Sequence, residues 1–392
     1  MPWQEQTVEE QRTEFIALAR RDDANIRELC RRFGISPKTG YKWLGRAATE
    51  GEAGLRDRSR RPHHSPNQTD PAVEARVVAA RTAHPTWGAR KLRAWLLRGG
   101  DGDGDGGSIG DSVDASSVPS TSTITAILGR HGLIDPQESA RRQPFTRFEH
   151  PHPNDLWQMD FMGHLALGTG RVHPLCVIDD HSRYVLGVRA CAEERTETVQ
   201  PALMAVFRRY GLPWAILTDN GPPWGVPGHP DALTRLEVWL LRLDVALWHG
   251  RPAHPQTQGK VERLHRTIAR DVLRPYQYPD LATCQAGLDA WRTTDNQHRP
   301  HEALDLAVPA ERYTVSVRPF PEPLPPIEYD EGTIVRRVAA KGDIRYRSGR
   351  YFIAEALAGE WVAISPTPKE GCWQVSYGCH RITTIDERQR AE

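Results

Sequence analysis

Three acidic residues of this chain stand where hard-cation chemistry would want them. Asp160, in LWQMDF, lies between Met159 and Phe161. An acid flanked by large apolar side chains is costly to bury unless something positive compensates it. Asp219 follows the apolar run WAIL (Trp214–Leu217), in TDNGPPWG. Loops at strand ends are where α/β proteins place ligand groups. Glu262 lies in PQTQGKVERLHRT, where Val261, Leu264, Ile268 and Val272 make one apolar helical stripe. At about 3.6 residues per turn Glu262 falls about 100° from Val261, at the stripe's edge. It can therefore reach over a sheet without entering the core. Singly, these are ordinary turn, cap or solvated acids. Jointly they offer the oxygen ligands that Mg²⁺ takes while keeping positions open for substrate phosphates. Two such ions, ~4 Å apart, can activate an attacking oxygen and stabilise a leaving one.

The elements that must position them read as α/β. LWQMDFMGHLAL (Leu156–Leu167) and HPLCVIDDHSRYVLGVRAC (His173–Cys191) predict three strands. The polar DDHSR run (Asp179, Asp180, Ser182, Arg183) is the hairpin turn between the second and third. A helix follows over Thr198–Tyr210, then a strand over Trp214–Leu217. Next come an apolar helix over Leu233–Asp244, a strand in VALWHG and a long helix over Thr257–Leu273. The order βββαβαβα implies a mixed sheet with helices on it.

Upstream, the chain is helical and basic. NIRELCRRFG carries Ile26, Leu29, Cys30 and Phe33 at helical spacing, and Gly34 ends that helix. Ser36 caps a second helix with Pro37 at its first position. That helix presents Lys38, Thr39, Tyr41 and Lys42 outward and turns Trp43 and Leu44 inward. Helix, short turn, basic helix is the helix-turn-helix pattern. RDRSRRPHH, with Arg58, Arg60 and Arg61, follows as an extended basic linker able to track phosphates. Pro71–His84, His84–Leu97 and Thr121–Ile134 predict a second helical unit. The Gly/Asp/Ser run Gly99–Ser117 inside it reads as a flexible loop rather than a calcium loop.

Past the Pro-rich stretch Pro319–Tyr329, the runs TIVRRV, IRYRSGRYFIA and EWVAIS predict a small β-barrel. The six cysteines form no CxxC pair. Cys372, Cys379 and His380 make a poor zinc set on spacing alone, so the thiols are expected to be buried and apolar. The net charge of +1 conceals three basic blocks. Residues 20–62 hold 12 Lys/Arg against 6 Asp/Glu; residues 249–274 and 331–350 each hold 6 against 2. No run approaches the ~20 apolar residues of a membrane span. The first residues lack the pattern of a signal peptide. A cytoplasmic protein, nucleoid-associated when bound to DNA, is the expectation.

Four ordered segments, LWQMDF, LTDNGPPW, HPQTQGKVERLHRT and HRPHEAL, resemble the DDE integrase core of insertion-sequence transposases. The closest resemblance is to the IS481-like group, and beyond it to IS3 and retroviral integrase cores. It spans roughly Asn154 to Tyr313, and FGISPKTGYKWL and HPTWGARKLRAWLL resemble that group's helix-turn-helix units. The resemblance implies a ribonuclease-H-like core with Asp160, Asp219 and Glu262 as its metal-binding, catalytic carboxylates. It implies two Mg²⁺ ions, with Mn²⁺ able to substitute, hydrolysis at transposon ends, and attack of the freed 3′-hydroxyls on target DNA. Implied partners are double-stranded DNA, as inverted-repeat ends and target, and further copies of the chain in a dimer or larger assembly. A catalytically silent DNA-binding protein is the alternative reading. His254, Lys260, Arg263, Arg266 and Arg270 are expected near DNA, as are Arg336, Arg337, Arg345 and Arg347 in the C-terminal unit. Arg299, Pro300 and His301 match a positioning motif after the core. Two departures stand out: 42 residues separate Asp219 from Glu262, longer than usual, and Ala269 occupies a position usually basic. The expected organisation is multidomain. A helix-turn-helix domain spans 1–62, a second helical unit with its insert spans 63–140 and a linker spans 141–153. The catalytic core spans 154–315, and the C-terminal β domain spans 325–386.

Overall fold

In the computed structural model, residues 7–58, 69–100, 117–134, 149–226, 229, 232–250 and 259–388 are described. The chain forms two units, Met1–Gln68 and Thr69–Glu392. In the first, each helix starts on the cap the sequence offers. Thr7 and Glu10 form a reciprocal capping box at α1 (Val8–Ala19). Asn25 caps α2 (Ile26–Arg32) and Ser36 caps α3 (Pro37–Glu50). Gly34 ends α2 with a positive φ of 66°. Phe15, Ile16, Cys30, Trp43, Ala47 and Leu55 close the core. A Cβ at Gly40 would stand 2.5 Å from Cys30 Sγ, so α2 and α3 approach this closely only because residue 40 has no side chain. Lys38, Tyr41 and Lys42 are exposed, as the turn-helix pattern predicts.

The second unit begins with α4 (Pro71–Ala83), α5 (Ala89–Leu97) and α6 (Thr121–Arg130). They pack through Val77, Trp87, Leu92, Trp95, Ile124 and Ile127. Most of the Gly99–Ser117 run lies outside the described residues.

Next comes a mixed sheet of β1 (Leu156–Phe161), β2 (Leu165–Leu167), β3 (Gly170–Asp179), β4 (Val185–Cys191), β5 (Ala215–Thr218) and β6 (Ala246–His249). The order across it is β4-β3-β1-β5-β6, with β2 on the first residues of β3. β3 runs antiparallel to β1 and β4, while β5 and β6 run parallel to β1 and to each other. Helices cover both faces. Trp157, Met159, Phe161 and Ile216 meet α7 (Thr196–Tyr210) and α8 (Arg235–Arg242). Cys176, Ile178, Val185 and Val188 meet α9 (Gly259–Ile268) and α10 (Leu281–Gln297). Helix α9 carries on into a π-helical turn over Ala269–Leu273. The long strand expected over Leu156–Leu167 is broken into β1 and β2, with Gly163 at a φ of 80° between them.

The C-terminal strands are β7 (Ile334–Arg337), β8 (Asp343–Tyr346), β9 (Gly349–Phe352), β10 (Trp361–Pro366), β11 (Cys372–Tyr377) and β12 (His380–Asp386). The expected barrel is not what they form. β12-β11-β10-β7 make an open four-stranded sheet, β8-β9 pair only with each other, and no described pairing joins the edges. The alternating apolar pattern specifies strands with one buried face, and an open sheet over a hairpin buries it as well as a closed one. Val362, Ile364, Val375, Tyr377, Ile344 and Tyr351 make that core, which also takes in Val238 of α8. Cys372 is buried as expected, but Cys379 is exposed at the β11–β12 turn, where the backbone reverses.

Candidate active site

The alternation of β1 sorts its side chains. Trp157, Met159 and Phe161 are buried against α7 and α8, so Gln158 and Asp160 belong to the α9 face. Strand β5 is parallel to β1 in the register Leu156↔Ala215, Trp157↔Ile216, Gln158↔Leu217. The same offset carried forward brings Asp160 of β1 level with Asp219, the residue that follows β5. Adjacent strands run about 4.8 Å apart. The loop after Asp219 is pinned at both ends. Gly221 N–H donates to Asp219 Oδ1 at 3.2 Å, and the buried Trp224 stacks on Phe161 at 5.6 Å between centroids.

Glu262 comes over that face on α9, in its first turn. Val261 N–H donates to Gln158 Oε1 at 3.2 Å, which docks the start of α9 directly on β1. Gln158 is fixed in turn by its Nε2, which donates to Asp180 Oδ1 at 2.9 Å. Lys260 Nζ donates to the Asp180 carbonyl at 3.0 Å and pairs with the Asp180 carboxylate. One turn beyond Glu262, His265 bonds the backbone of Asp160 and is held neutral, its pKa pushed down to about 4 by burial. The spacing of the carboxylates gave no sign of Gln158, Asp180 or His265 as their support. The one available signal was the polar alternation of Gln158 with Asp160 in β1.

The electrostatics mark the same place. Burial pushes the Asp160 carboxyl up to about 7, and the charges of Asp219, Glu194 and Glu262 add to the effect. Burial, then Glu194, also raises Asp219, against opposing contributions from the Gly221 hydrogen bond and His249. Lys260 pairs with Asp180 and Arg270 with Asp271, and His173 Nδ1 lies 2.7 Å from Glu194 Oε1. Neighbouring acids that raise the Asp160 pKa fit a divalent cation, because its charge reverses that repulsion. The donors are all carboxylate oxygens, as a hard ion requires. The donor atoms of the three do not all lie within 4.8 Å of one another. Among the described residues, the group of three ligand side chains whose donor atoms all lie within 4.8 Å is Asp244, Cys379 and His380.

Comparison with known proteins agrees with this architecture. The chain matches a helix-turn-helix domain over residues 11–63 and a homeodomain-like domain over 39–109. It matches the integrase core domain over 150–255 and 243–309, and the C-terminal domain of IS481 family transposases over 333–392. The central residues are thus similar to integrase cores and the C-terminal residues to those of IS481 family transposases. Similar curated proteins include the 31.7 kDa protein of insertion element IS407 from Burkholderia multivorans, 27% identical over 41% of this chain and 55% of that one. The 39.2 kDa protein of IS476 from Xanthomonas euvesicatoria is 26% identical over 41% of this chain and 44% of that one. The chain thus spans about half the length of the curated relatives it matches. Among solved structures, the HTLV-2 integrase catalytic core domain aligns at 19% identity with a TM-score of 0.33, over 42% of this chain and 99% of that one.

The remaining expected contacts fall in several settings. Lys42 lies 5.1 Å over the Trp43 ring. Thr39 is half-buried with its hydroxyl 2.9 Å from Ser36 Oγ, so it builds the helix start. Arg58 pairs with Glu50. Arg60, Arg61 and His254 lie outside the described residues. Lys260 is turned inward to Asp180, whereas Arg263 and Arg266 are exposed on α9. Arg270 falls inside the π turn that begins at Ala269 and meets Asp271 at 3.1 Å. Arg336 and Arg337 are exposed on β7. Arg299 is buried, its Nη1 3.0 Å from both Asp271 and Asp295, so it ties the end of the α9 segment to α10. The DDHSR run is the β3–β4 turn. Asp179 accepts from Asn154 N at 2.8 Å, Ser182 N at 2.7 Å and Ser182 Oγ at 2.6 Å, and Arg183 takes a φ of 62°.

Proposed function

We propose that this chain is an active DNA transposase that cleaves at element ends and joins the freed 3′-hydroxyls to target DNA. Asp160, Asp219 and Glu262 would hold Mg²⁺ or Mn²⁺, two ions at full occupancy. When bound, the ions supply charge stabilisation for in-line displacement at a phosphate. The protein's part is positional. Strands β1 and β5 bring two carboxylates level, Gln158 docks the helix carrying the third, and His265 braces the Asp160 backbone. The helix-turn-helix units, led by Lys38 and Lys42, would hold the ends, and Arg336 and Arg337 would grip the backbone without reading sequence. Joining two ends calls for more than one copy of the chain.

The observation that carries this reading is the parallel register of β1 and β5, which ends at Gln158↔Leu217 two residues before Asp160 and Asp219, with α9 docked on Gln158. The looser spacing of the three carboxylates favours a second reading, a silent DNA-binding protein. One experiment separates them: cleavage and strand transfer on end-bearing DNA with Mg²⁺, for the natural chain and Asp219→Asn. The enzyme reading expects products from the first, none from the second, and equal DNA binding by both. Products from Asp219→Asn would sink the site; binding without products from either chain would favour the silent protein.

A further inference from the structure

A second constellation lies away from the sheet carboxylates, where the β11–β12 turn meets the end of α8. Cys379 Sγ is 2.9 Å from Asp244 Oδ1, and His380 Nε2 is 3.1 Å from the same oxygen. All three donor atoms lie within 4.8 Å of one another. His380 Nε2 is buried and, despite that distance, makes no hydrogen bond of acceptable geometry. Cys379 Sγ donates a hydrogen bond to Asp244 Oδ1, while His380 Nε2 approaches the same oxygen without one, so both gather on a single carboxylate oxygen. Asp244 is held there by a left-handed backbone, φ 57°. Arg318 braces the same turn, donating to the carbonyls of Pro213, Leu243 and Asp244 at 2.6, 3.0 and 2.7 Å. Its guanidinium is thereby occupied, and it stands 3.6 Å from Asp244 Oδ2, the oxygen the cysteine and histidine do not use.

We propose that Asp244, Cys379 and His380 form a binding site for one zinc ion, with water in the fourth position, that fastens the C-terminal sheet to the catalytic core. Sulfur, imidazole and carboxylate are zinc's ligand types. Ideal tetrahedral bonding would set the sulfur–oxygen and nitrogen–oxygen edges at about 3.5 and 3.3 Å. From the observed 2.9 and 3.1 Å the sulfur–oxygen edge must open by about 0.6 Å and the nitrogen–oxygen edge by about 0.2 Å. Burial and the Asp244 carboxylate raise the Cys379 thiol, so without metal it is the neutral SH form. On binding, the thiol releases its proton to solvent and sulfur coordinates as thiolate. Asp244 and Cys379 are exposed, which leaves the ion a path in.

The test is Co²⁺ titration of the full chain after chelator treatment, followed by absorption. The expected result is one equivalent bound with a thiolate-to-cobalt charge-transfer band, displaced by Zn²⁺ and indifferent to excess Mg²⁺. Cys379→Ser should lose that band. Asp244→Asn should weaken binding by more than the roughly 10–100-fold typical of second-shell changes, and asparagine keeps the left-handed backbone accessible. The thiolate-to-cobalt band should develop in Asp219→Asn as in the natural chain, which keeps this result separate from the fate of the sheet carboxylates. Zn²⁺ should raise the melting temperature of the natural chain and leave that of Cys379→Ser unmoved. A chain that takes up no equivalent of Co²⁺, or a thiolate band that persists in Cys379→Ser, overturns the proposal.

Discussion

At the start of β1 the carboxylates of Asp179 and Asp180 are saturated with donors; towards its other end Asp160 has the acids Asp219, Glu194 and Glu262 for charged neighbours. Asp179 and Asp180 are buried, whereas Asp160 is half-buried and Asp219 exposed. Burial raises Asp179 too, but hydrogen bonds from Ser182 and Asn154 oppose the shift. At Asp160 neighbouring acids reinforce it instead. The difference teaches where this fold keeps its chemistry. Compensated acids hold the hairpin turn and the start of α9. Uncompensated acids are left wanting a cation, a cost that structure alone would not retain.

The comparison can be broken in four ways, in order of effect. Glu262→Gln should cut strand transfer by about 10³-fold, the scale of a lost transition-state stabiliser. Glu262 is exposed, so stability should stay within about 0.5 kcal/mol. A large drop in denaturation midpoint would make it a structural acid after all. Asp180→Ala should do the reverse, costing about 3 kcal/mol in urea unfolding by stranding Lys260 and Gln158. A natural midpoint there would erase the contrast.

The third is pH. Asp160 has a folded pKa near 7 against an ordinary 3.8. Its protonated form favours the fold, so that contribution is full below pH 4 and is lost as pH rises through about 7. In chelator, the natural chain should lose on the order of 2 kcal/mol relative to Asp160→Asn over that window. Mg²⁺ should restore it. A flat difference across the window would mean that Asp160 is compensated like Asp179. The smallest effect is Gln158→Leu, which leaves Val261 N–H unpaired at a cost of about 1 kcal/mol. Transfer should fall while DNA binding holds; unchanged transfer would remove Gln158 from the support.

Much of this was legible in the chain. Caps at Ser36, the glycine at 34 and the apolar stripe of α9 are local signals, and local physics honours them. The alternation of β1 gives Asp160 its face. What was hidden depends on contacts far apart in sequence. Gln158 meets Val261 across 103 positions, and Asp244 meets Cys379 across 135. No spacing rule spans such separations, so Cys379 and His380 read as a weak pair until the fold brings in Asp244. Closure of the C-terminal strands was likewise beyond reach, because periodicity fixes which face is buried but not whether two edges meet.

Helix α8 belongs to two interiors at once. Leu236, Trp239 and Leu240 sit under the central sheet, while Val238, with Leu233 and Leu241 beside it, packs into the C-terminal strands. A truncation before residue 325 would therefore strip an apolar flank bare rather than release an appendage. Whatever tugs on the tail is felt by the helix that leads into β6, the strand lying alongside β5 and its Asp219.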